Sequence, residues 1–162
     1  MKQLIYIITT AIALMGCTKD TAKRNPYLGE ARFSYTINTN LPAYNSLKTP
    51  GSTVFIPAPS AGIKGVFVTY LGGNTYRAWE AACPNHNLTD CQAMHCAEGS
   101  KDVGFQPCED NSHNYTMAMC PCDKTVYHLL NGQPIATGNI TNIYPLLNYN
   151  VTLAGEQITI SN

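Results

Sequence analysis

The sequence predicts an all-β fold, and three observations support that prediction. Short segments rich in β-branched and aromatic residues recur along most of the chain, separated by turn residues. Strong turn signals close several of these segments, such as Gly72-Gly73-Asn74 and Asn131-Gly132. No long stretch keeps the apolar period of an amphipathic helix. We therefore expect one domain built as a small β-sandwich or barrel, which a length of 162 residues also favours.

Seven segments carry the strand pattern, and we expect each of them to form a strand. They are Arg32–Asn38, Ser52–Ile56, Lys64–Leu71, Tyr76–Ala82, Thr125–Leu130, Tyr144–Leu153 and Gln157–Ile160. Leu41–Leu47 is predicted to form one or two helical turns. Between Ala82 and Cys120 the pattern is lost, and polar residues, glycine and cysteine dominate. We therefore predict a long cysteine-rich loop inserted into the β fold.

The charge of the chain argues against a protein that binds nucleic acid. Only 12% of the residues are charged, and ten Lys and Arg balance ten Asp and Glu, so no basic surface is expected to contact phosphates. Seven cysteines point instead to an oxidising compartment or to a bound metal, because cytosolic thiols stay reduced. Six of the seven lie between Cys83 and Cys122, and the sequence alone does not decide how they pair.

The first residues have the features of an export signal. Lys2 precedes the apolar run Leu4–Met15, which is too short to span a membrane comfortably. The run ends in Leu14-Met15-Gly16-Cys17, which resembles a bacterial lipobox and implies cleavage before Cys17 and lipid attachment to its sulfur. An ordinary signal peptide or a short uncleaved anchor is the alternative. We expect a signal peptide at 1–16, a polar tether at 17–28 and one domain at 29–162, lipid-anchored in the bacterial cell envelope and facing the periplasm or the exterior.

Two cysteine loops carry the candidate chemistry, and each follows a predicted strand. The first is Cys83-Pro84-Asn85-His86, and the second is Cys120-Pro121-Cys122-Asp123-Lys124. The second loop, with Gly138 and Tyr144-Pro145-Leu146 downstream, resembles the second half of a Rieske iron–sulfur domain, and the first loop resembles that family's Cys-x-His motif. The resemblance implies a Rieske-like all-β fold, a [2Fe-2S] cluster and one-electron transfer to a redox partner protein.

Carried over by position, the resemblance implies that Cys83 and Cys120 are the thiolate ligands and His86 the first imidazole ligand. Asp123 occupies the position of the second imidazole. The resemblance also implies a disulfide between Cys91 and Cys122, which leaves Cys96 and Cys108 to pair within the insertion.

The chain departs from the family pattern at three places. The first loop is Cys-x-x-His, one residue longer than the family's motif, and Asp123 replaces a histidine. Lys124-Thr125 replaces Gly-Ser, so a lysine stands where glycine allows the backbone to pass close to the cluster. Thr125 keeps a hydroxyl at the serine position.

Several alternatives stay open at this stage. A third disulfide between Cys83 and Cys120 would make the chain a cluster-less binding or structural lipoprotein, with the loop 87–119 as its recognition surface. Cys83, His86, Cys120 and Cys122 also have the spacing of a zinc site. His86 as an ordinary loop histidine and Asp123 as a turn residue are further alternatives. No Gly-x-Ser-x-Gly or His-Glu-x-x-His motif occurs, so we expect no catalysis by this chain alone.

Overall fold

A computed structural model describes residues 25–110 and 114–162. Within those residues the all-β prediction is confirmed, because the strands form two antiparallel sheets and one short 3₁₀ helix spans Pro42–Lys48. In chain order the strands are β1 (Ser34–Asn38), β2 (Thr53–Pro57), β3 (Gly65–Gly72), β4 (Thr75–Glu80), β5 (His95–Ser100), β6 (Gly104–Pro107), β7 (Met117–Met119), β8 (Val126–His128), β9 (Pro134–Ala136), β10 (Asn148–Ala154) and β11 (Gln157–Ser161).

The larger sheet has six strands in the order β1-β11-β10-β4-β3-β2. Successive side chains of a strand point to opposite faces, and on β3 both faces are buried. Val66 and Val68 pack in one core with Ile37 and Leu47, whereas Phe67 points to the opposite side. The six-stranded sheet therefore covers its own apolar core on one face and presents a second apolar surface on the other.

The smaller sheet has five short strands in the order β6-β5-β7-β8-β9. Ala118 and Tyr127 of this sheet pack in a shared core with Phe67 and Trp79 of the larger one. The indole Nε1 of Trp79 donates a hydrogen bond of 2.5 Å to the carbonyl oxygen of Leu129. This shared core fixes the smaller sheet, which carries the cysteine loops, against the larger one.

The predicted turns are present and have the backbone geometry that their residues favour. The β3–β4 hairpin closes through Gly73 and Asn74, whose φ angles of +57° and +61° are those of a type I′ turn. Gly132 has a φ of +71°, and a side chain there would lie 2.5 Å from the Trp79 ring. Only glycine therefore satisfies both the conformation and the packing at this turn.

The predicted unbroken loop at 87–119 is wrong, because that region contains β5, β6 and β7. The β5–β6 hairpin has few apolar residues, and its buried Cys96 and Ala97 are adjacent, so it lacks the apolar alternation from which strands are predicted. A disulfide between Cys96 and Cys108 links β5 to the residue after β6, and Gly99 allows a close approach to Gly104. Pro134–Ala136 also escaped prediction, because three residues are too few to show a pattern.

Glu80, at the end of β4, is a fully buried carboxylate that joins several elements. Its side chain accepts hydrogen bonds from the backbone N–H groups of Ile63 at 2.7 Å, Lys64 at 2.9 Å and Ala82 at 2.7 Å. The Tyr149 hydroxyl donates a fourth, at 2.5 Å. Glu80 therefore fixes the chain where it leaves the larger sheet and enters the first cysteine loop.

The predicted signal peptide and the predicted lipid attachment site, Cys17, lie outside the described residues. Among the residues that the structure describes, no helix is both long and apolar enough to cross a membrane.

Candidate metal centre

The first cysteine loop leaves the larger sheet directly after β4. Its base is held by two backbone hydrogen bonds, from Ala81 N to Gly65 O at 2.9 Å and from Met94 N to Ala81 O at 2.7 Å. The amide Nδ2 of Asn25 donates to the carbonyl oxygen of Pro84 at 2.8 Å. The last residues of the predicted tether therefore lie against this loop.

The second cysteine loop connects β7 to β8 as a tight turn. Cys120 N donates to Thr125 O at 2.9 Å, and Lys124 N donates to Cys120 O at 3.0 Å. Lys124 has a φ of +65°, in the left-handed region that favours glycine. The backbone therefore keeps a conformation suited to the family's glycine, although a lysine occupies the position.

The two loops and Cys91 bring sulfur and nitrogen ligand atoms together. The sulfurs of Cys83, Cys91 and Cys120 and a ring nitrogen of His86 all lie within 4.8 Å of one another. Cys91 is joined to Cys122 in a disulfide, with 6.0 Å between the Cα atoms, so its sulfur is not a free ligand. The free donors of this cluster are the Cys83 and Cys120 thiols, both buried, and the His86 imidazole.

Asp123 lies beside these donors and is itself buried. Its Oδ2 is 3.0 Å from Nε2 of His86 and 3.9 Å from the sulfur of Cys83. The backbone N–H of Thr125 donates to Oδ1 at 2.7 Å, and the Asn85 amide donates to Oδ2 at 3.0 Å. The carboxylate therefore faces His86 across the two loops, with its charge stabilised by neutral donors.

Asn85 connects the site to the rest of the domain. Besides Asp123, its Nδ2 donates to the Tyr127 hydroxyl at 2.8 Å, and its Oδ1 accepts from Tyr144 N at 3.0 Å. Neither Asn85 nor Tyr127 is among the site residues predicted from the sequence. Asn85 lies between a candidate cysteine and a candidate histidine, which is the only local signal that would have identified it.

Thr125 and Gly138 fix the second cysteine loop against the segment that follows β9. Gly138 N donates to Oγ1 of Thr125 at 3.2 Å, and Asn139 N donates to Asp123 O at 3.2 Å. An added Cβ at Gly138 would lie 1.4 Å from the carbonyl oxygen of Asp123. Glycine is required there because the two backbones are in direct contact.

The protonation of the site follows from its hydrogen bonds. The Cys83 thiol donates to the sulfur of Cys120, and this bond together with burial raises the pKa of Cys83. The same bond lowers the pKa of Cys120. For Asp123, burial raises the pKa, but the donors Thr125 and Asn85 outweigh it and leave the pKa below its ordinary value. The site therefore favours the thiolate of Cys120 over that of Cys83, and it favours the ionised form of the Asp123 carboxyl.

The structure brings together Cys83, His86, Cys120 and Asp123. The disulfides Cys91–Cys122 and Cys96–Cys108 are the pairs that the family resemblance implies. Cys83 and Cys120 are not bonded to each other. Cys122 is exposed and bonded to Cys91, so the alternative zinc set that included it is not formed. Cys96 and Cys108 lie at the β5–β6 hairpin, outside the donor cluster.

The donor types present fit a [2Fe-2S] group of the kind that the family holds. Such a group takes two thiolates on one iron and two further ligands on the other. Cys83 and Cys120 would supply the two thiolates, and His86 and Asp123, which face each other at 3.0 Å, would supply the other two ligands. The substitution of a carboxylate for an imidazole changes the charge of the set.

The sequence matches no protein-family model and no curated protein. Among solved structures, the chain is similar to the ferredoxin of carbazole 1,9a-dioxygenase from Nocardioides aromaticivorans IC177, with 16% identity over 70% of this chain and 86% of that chain and a TM-score of 0.37. It is also similar to the Sphingomonas yanoikuyae B1 ferredoxin, with 15% identity over 83% and 99% of the two chains and a TM-score of 0.39.

A third similar structure is a putative NADH-dependent nitrite reductase small subunit from Mycobacterium tuberculosis. It has 12% identity over 82% of this chain and 97% of that chain, and a TM-score of 0.39.

Proposed function

We propose that the two cysteine loops hold a [2Fe-2S] cluster and that the protein transfers single electrons to or from a redox partner protein. Cys83 and Cys120 are the proposed thiolate ligands of one iron, and His86 and Asp123 are the proposed ligands of the other. The observation that carries the proposal is the pair of buried, unbonded thiols from two different loops, within 4.8 Å of a His86 ring nitrogen.

When bound, the cluster supplies one-electron chemistry, and the chain has to position it and control its surroundings. The thiol side of the site is buried, which keeps water from the sulfurs. The His86 side chain is 24% exposed, whereas that of Asp123 is 2% exposed. The redox partner protein is therefore proposed to approach the cluster at the His86 side chain.

The negative charge of Asp123 leads to a prediction about the reduction potential of the cluster. A carboxylate ligand adds negative charge, which stabilises the oxidised state, so the potential is expected below the usual Rieske range of about −150 to +300 mV. Replacing Asp123→His is expected to raise the potential in a redox titration. A potential that stays the same or falls in the variant would contradict ligation by Asp123.

Metal and sulfide analysis of the full chain tests the proposal. Iron and acid-labile sulfide in equal amounts are expected in the wild-type protein, with visible absorption that bleaches on reduction. Cys83→Ser and Cys120→Ser are expected to lose both. The double variant Cys96→Ser/Cys108→Ser is the matched control, because it removes two cysteines outside the donor cluster and is expected to retain both.

Two outcomes would overturn the cluster. Zinc without sulfide would show that the same donors hold a single metal ion. A folded chain with neither iron nor sulfide, after anaerobic purification and reconstitution, would show that the donors hold no metal group.

A second candidate function is a binding module that holds no cluster. It is favoured by the hydrogen bonds that satisfy Asp123 without any metal, from His86, Asn85 and Thr125. A polar cavity of about 340 Å³ adjoins the first loop and would be its ligand site. Its lining residues are Tyr27, Asn85, Asn139, Ile140, Thr141 and Asn142. Loss of iron binding in every preparation, with unchanged stability in Cys83→Ser, would favour this function.

The proposal places the domain at a membrane surface of the bacterial cell envelope, held by lipid on Cys17. Cys17 and Asn25 are eight positions apart in the sequence, and Asn25 contacts the first loop. A fully extended chain of that length spans roughly 28 Å. The cluster would therefore lie close to the membrane and favour a membrane-bound partner. Metabolic labelling with a radioactive fatty acid is expected to label the wild-type chain but not Cys17→Ala, and labelling of both would contradict the attachment site.

A further inference from the structure

Four cysteine sulfurs lie together, three from the two cysteine loops and one from Cys91, and they are in two different chemical states. Cys91 and Cys122 form a disulfide, whereas Cys83 and Cys120 carry free thiols. The sulfur of Cys120 is 3.6 Å from the sulfur of Cys91. The sulfur of Cys83 lies within 4.8 Å of both of these atoms. A thiol in contact with a disulfide sulfur is the arrangement from which thiol–disulfide exchange begins.

We infer that these four cysteines form an intramolecular thiol–disulfide exchange centre, in which the pair Cys83 and Cys120 can take over the disulfide now held by Cys91 and Cys122. The activity concerns the metal-free chain and does not depend on whether a cluster is the group that the site binds.

The exchange proceeds in two balanced steps. In the first, the Cys120 thiolate attacks the sulfur of Cys91, a Cys91–Cys120 bond forms, and the Cys91–Cys122 bond breaks. Cys122 leaves as a thiolate and takes up the proton that Cys120 lost. In the second step the Cys83 thiolate attacks the sulfur of Cys120, a Cys83–Cys120 bond forms, and the Cys91–Cys120 bond breaks. Cys91 leaves as a thiolate and takes up the proton that Cys83 lost. The Cys83 and Cys120 pair is oxidised by two electrons and the Cys91 and Cys122 pair is reduced by two, so no external oxidant is needed.

The surroundings of the sulfurs favour attack in this direction. Cys91 and Cys120 are buried and in contact, whereas Cys122 is exposed. The leaving thiolate of Cys122 therefore forms at the surface, where water solvates its charge. The attacking sulfur needs no movement of the loop to reach Cys91, since the two atoms are already at van der Waals distance.

The exchange has a consequence for the metal centre. In the present disulfide state two thiols face His86, so the donor set is complete. After both steps Cys83 and Cys120 are joined in a disulfide and no longer offer thiolates to a metal. Cys122 then carries an exposed thiol. The chain would therefore bind metal in one disulfide state only, and the other state would offer Cys122 to external thiol–disulfide partners.

Disulfide mapping of the full chain tests the inference. Wild-type protein is stripped of metal with a chelator without oxygen, incubated, quenched in acid and alkylated with N-ethylmaleimide under denaturing conditions before mass spectrometry. We expect a Cys83–Cys120 peptide, with label appearing on Cys91 and Cys122. In Cys83→Ser the second step is blocked, so we expect a Cys91–Cys120 peptide and label on Cys122, at roughly one part in ten or more of the chain.

Two results would overturn the inference. One is label confined to Cys83 and Cys120 after prolonged incubation, with Cys91–Cys122 as the only disulfide of these four residues. The other is equal rearrangement of the Cys96–Cys108 pair, which lies outside the cluster and serves as the internal control, because that result would indicate exchange in unfolded chains. Iron and sulfide analysis of the same preparation before stripping reports on the cluster separately, so either proposal can fail without the other.

Discussion

The two sheets of this protein are stabilised in different ways. The six-stranded sheet is built from strands of five to eight residues, and no cysteine lies in any of them. The five-stranded sheet has strands of three to six residues, and both disulfides are attached to it or to its loops. The comparison indicates that apolar burial specifies the first sheet, whereas cross-links and buried hydrogen bonds hold the second, where the candidate metal centre lies.

Glu80 accepts hydrogen bonds from the segment before β3, from the first residues after β4 and from β10, so its removal is expected to have the largest effect. Glu80→Ala leaves the buried donors on Ile63, Lys64 and Ala82 and the Tyr149 hydroxyl without their acceptor. We expect a loss of about 3–5 kcal/mol in the free energy of unfolding, because each unsatisfied buried donor costs about 1–3 kcal/mol. Denaturant unfolding measures the loss, and hydrogen exchange is expected to show weaker protection in both sheets.

Tyr149→Phe is the matched control for Glu80, since it removes one of the four donors and keeps the ring. Its expected loss is about 1–2 kcal/mol. A Glu80→Ala protein as stable as Tyr149→Phe would contradict the account of Glu80 as the buried acceptor shared by these segments.

Removing the Cys91–Cys122 disulfide is expected to affect the smaller sheet alone. The bond closes a separation of 31 residues, and the chain-entropy account assigns about 3–4 kcal/mol to such a cross-link. In Cys91→Ser/Cys122→Ser, hydrogen exchange is expected to accelerate in β5, β7 and β8 and to stay slow in β3 and β11. A uniform acceleration of hydrogen exchange in both sheets would contradict the conclusion that the two sheets are stabilised in different ways.

Lys124 provides a smaller test within the second cysteine loop. Its left-handed backbone costs about 1–2 kcal/mol for a residue with a side chain, and its side chain makes one exposed hydrogen bond, to Pro121 O at 2.8 Å. Lys124→Gly relieves this strain but adds flexibility to the unfolded chain, so we expect a net gain of up to about 1 kcal/mol.

Asn74→Gly is the control for Lys124, because Asn74 also has a positive φ but asparagine tolerates that region. Thermal unfolding of both variants is the measurement. A Lys124→Gly protein that is less stable than Asn74→Gly would show that the lysine side chain contributes more than its backbone costs.

The smallest expected effect is a dependence of stability on pH through His95 in β5. Burial lowers the pKa of His95 below its ordinary value, and the Lys124 ammonium lowers it further. The unfolded chain therefore binds the proton at a higher pH than the folded chain, and stability falls as the pH drops below about 6.5. We expect His95→Gln to lose less stability between pH 7 and 5 than the wild type, and an identical loss in both would contradict this role.

The strands of the larger sheet could be predicted from the sequence because they are rich in β-branched and aromatic residues. Val66, Phe67 and Val68 show the pattern of a strand buried on both faces. The segment His95–Ser100 has no such pattern, and it forms a strand where a disulfide and a neighbouring hairpin strand support it. Local patterning therefore identified one sheet and only part of the other.

The site shows the same limit. Cys83, His86 and Cys120 could be predicted as ligands because cysteine and histidine are common metal ligands and occur here in motifs that resemble those of a known family. Asn85 could not be assigned its role, because its partners Asp123 and Tyr127 lie 38 and 42 residues away in the chain. The fully buried Glu80 was missed for the same reason, since its partners come from three separate segments.

The measurement that tests the central claim most directly is low-temperature EPR of the anaerobically purified full chain before and after reduction. The account predicts that reduction produces the paramagnetic signal of a [2Fe-2S] cluster, in wild type and in Cys96→Ser/Cys108→Ser but not in Cys83→Ser. A folded wild-type chain with free Cys83 and Cys120 thiols and no signal, even after reconstitution with iron and sulfide, would contradict it.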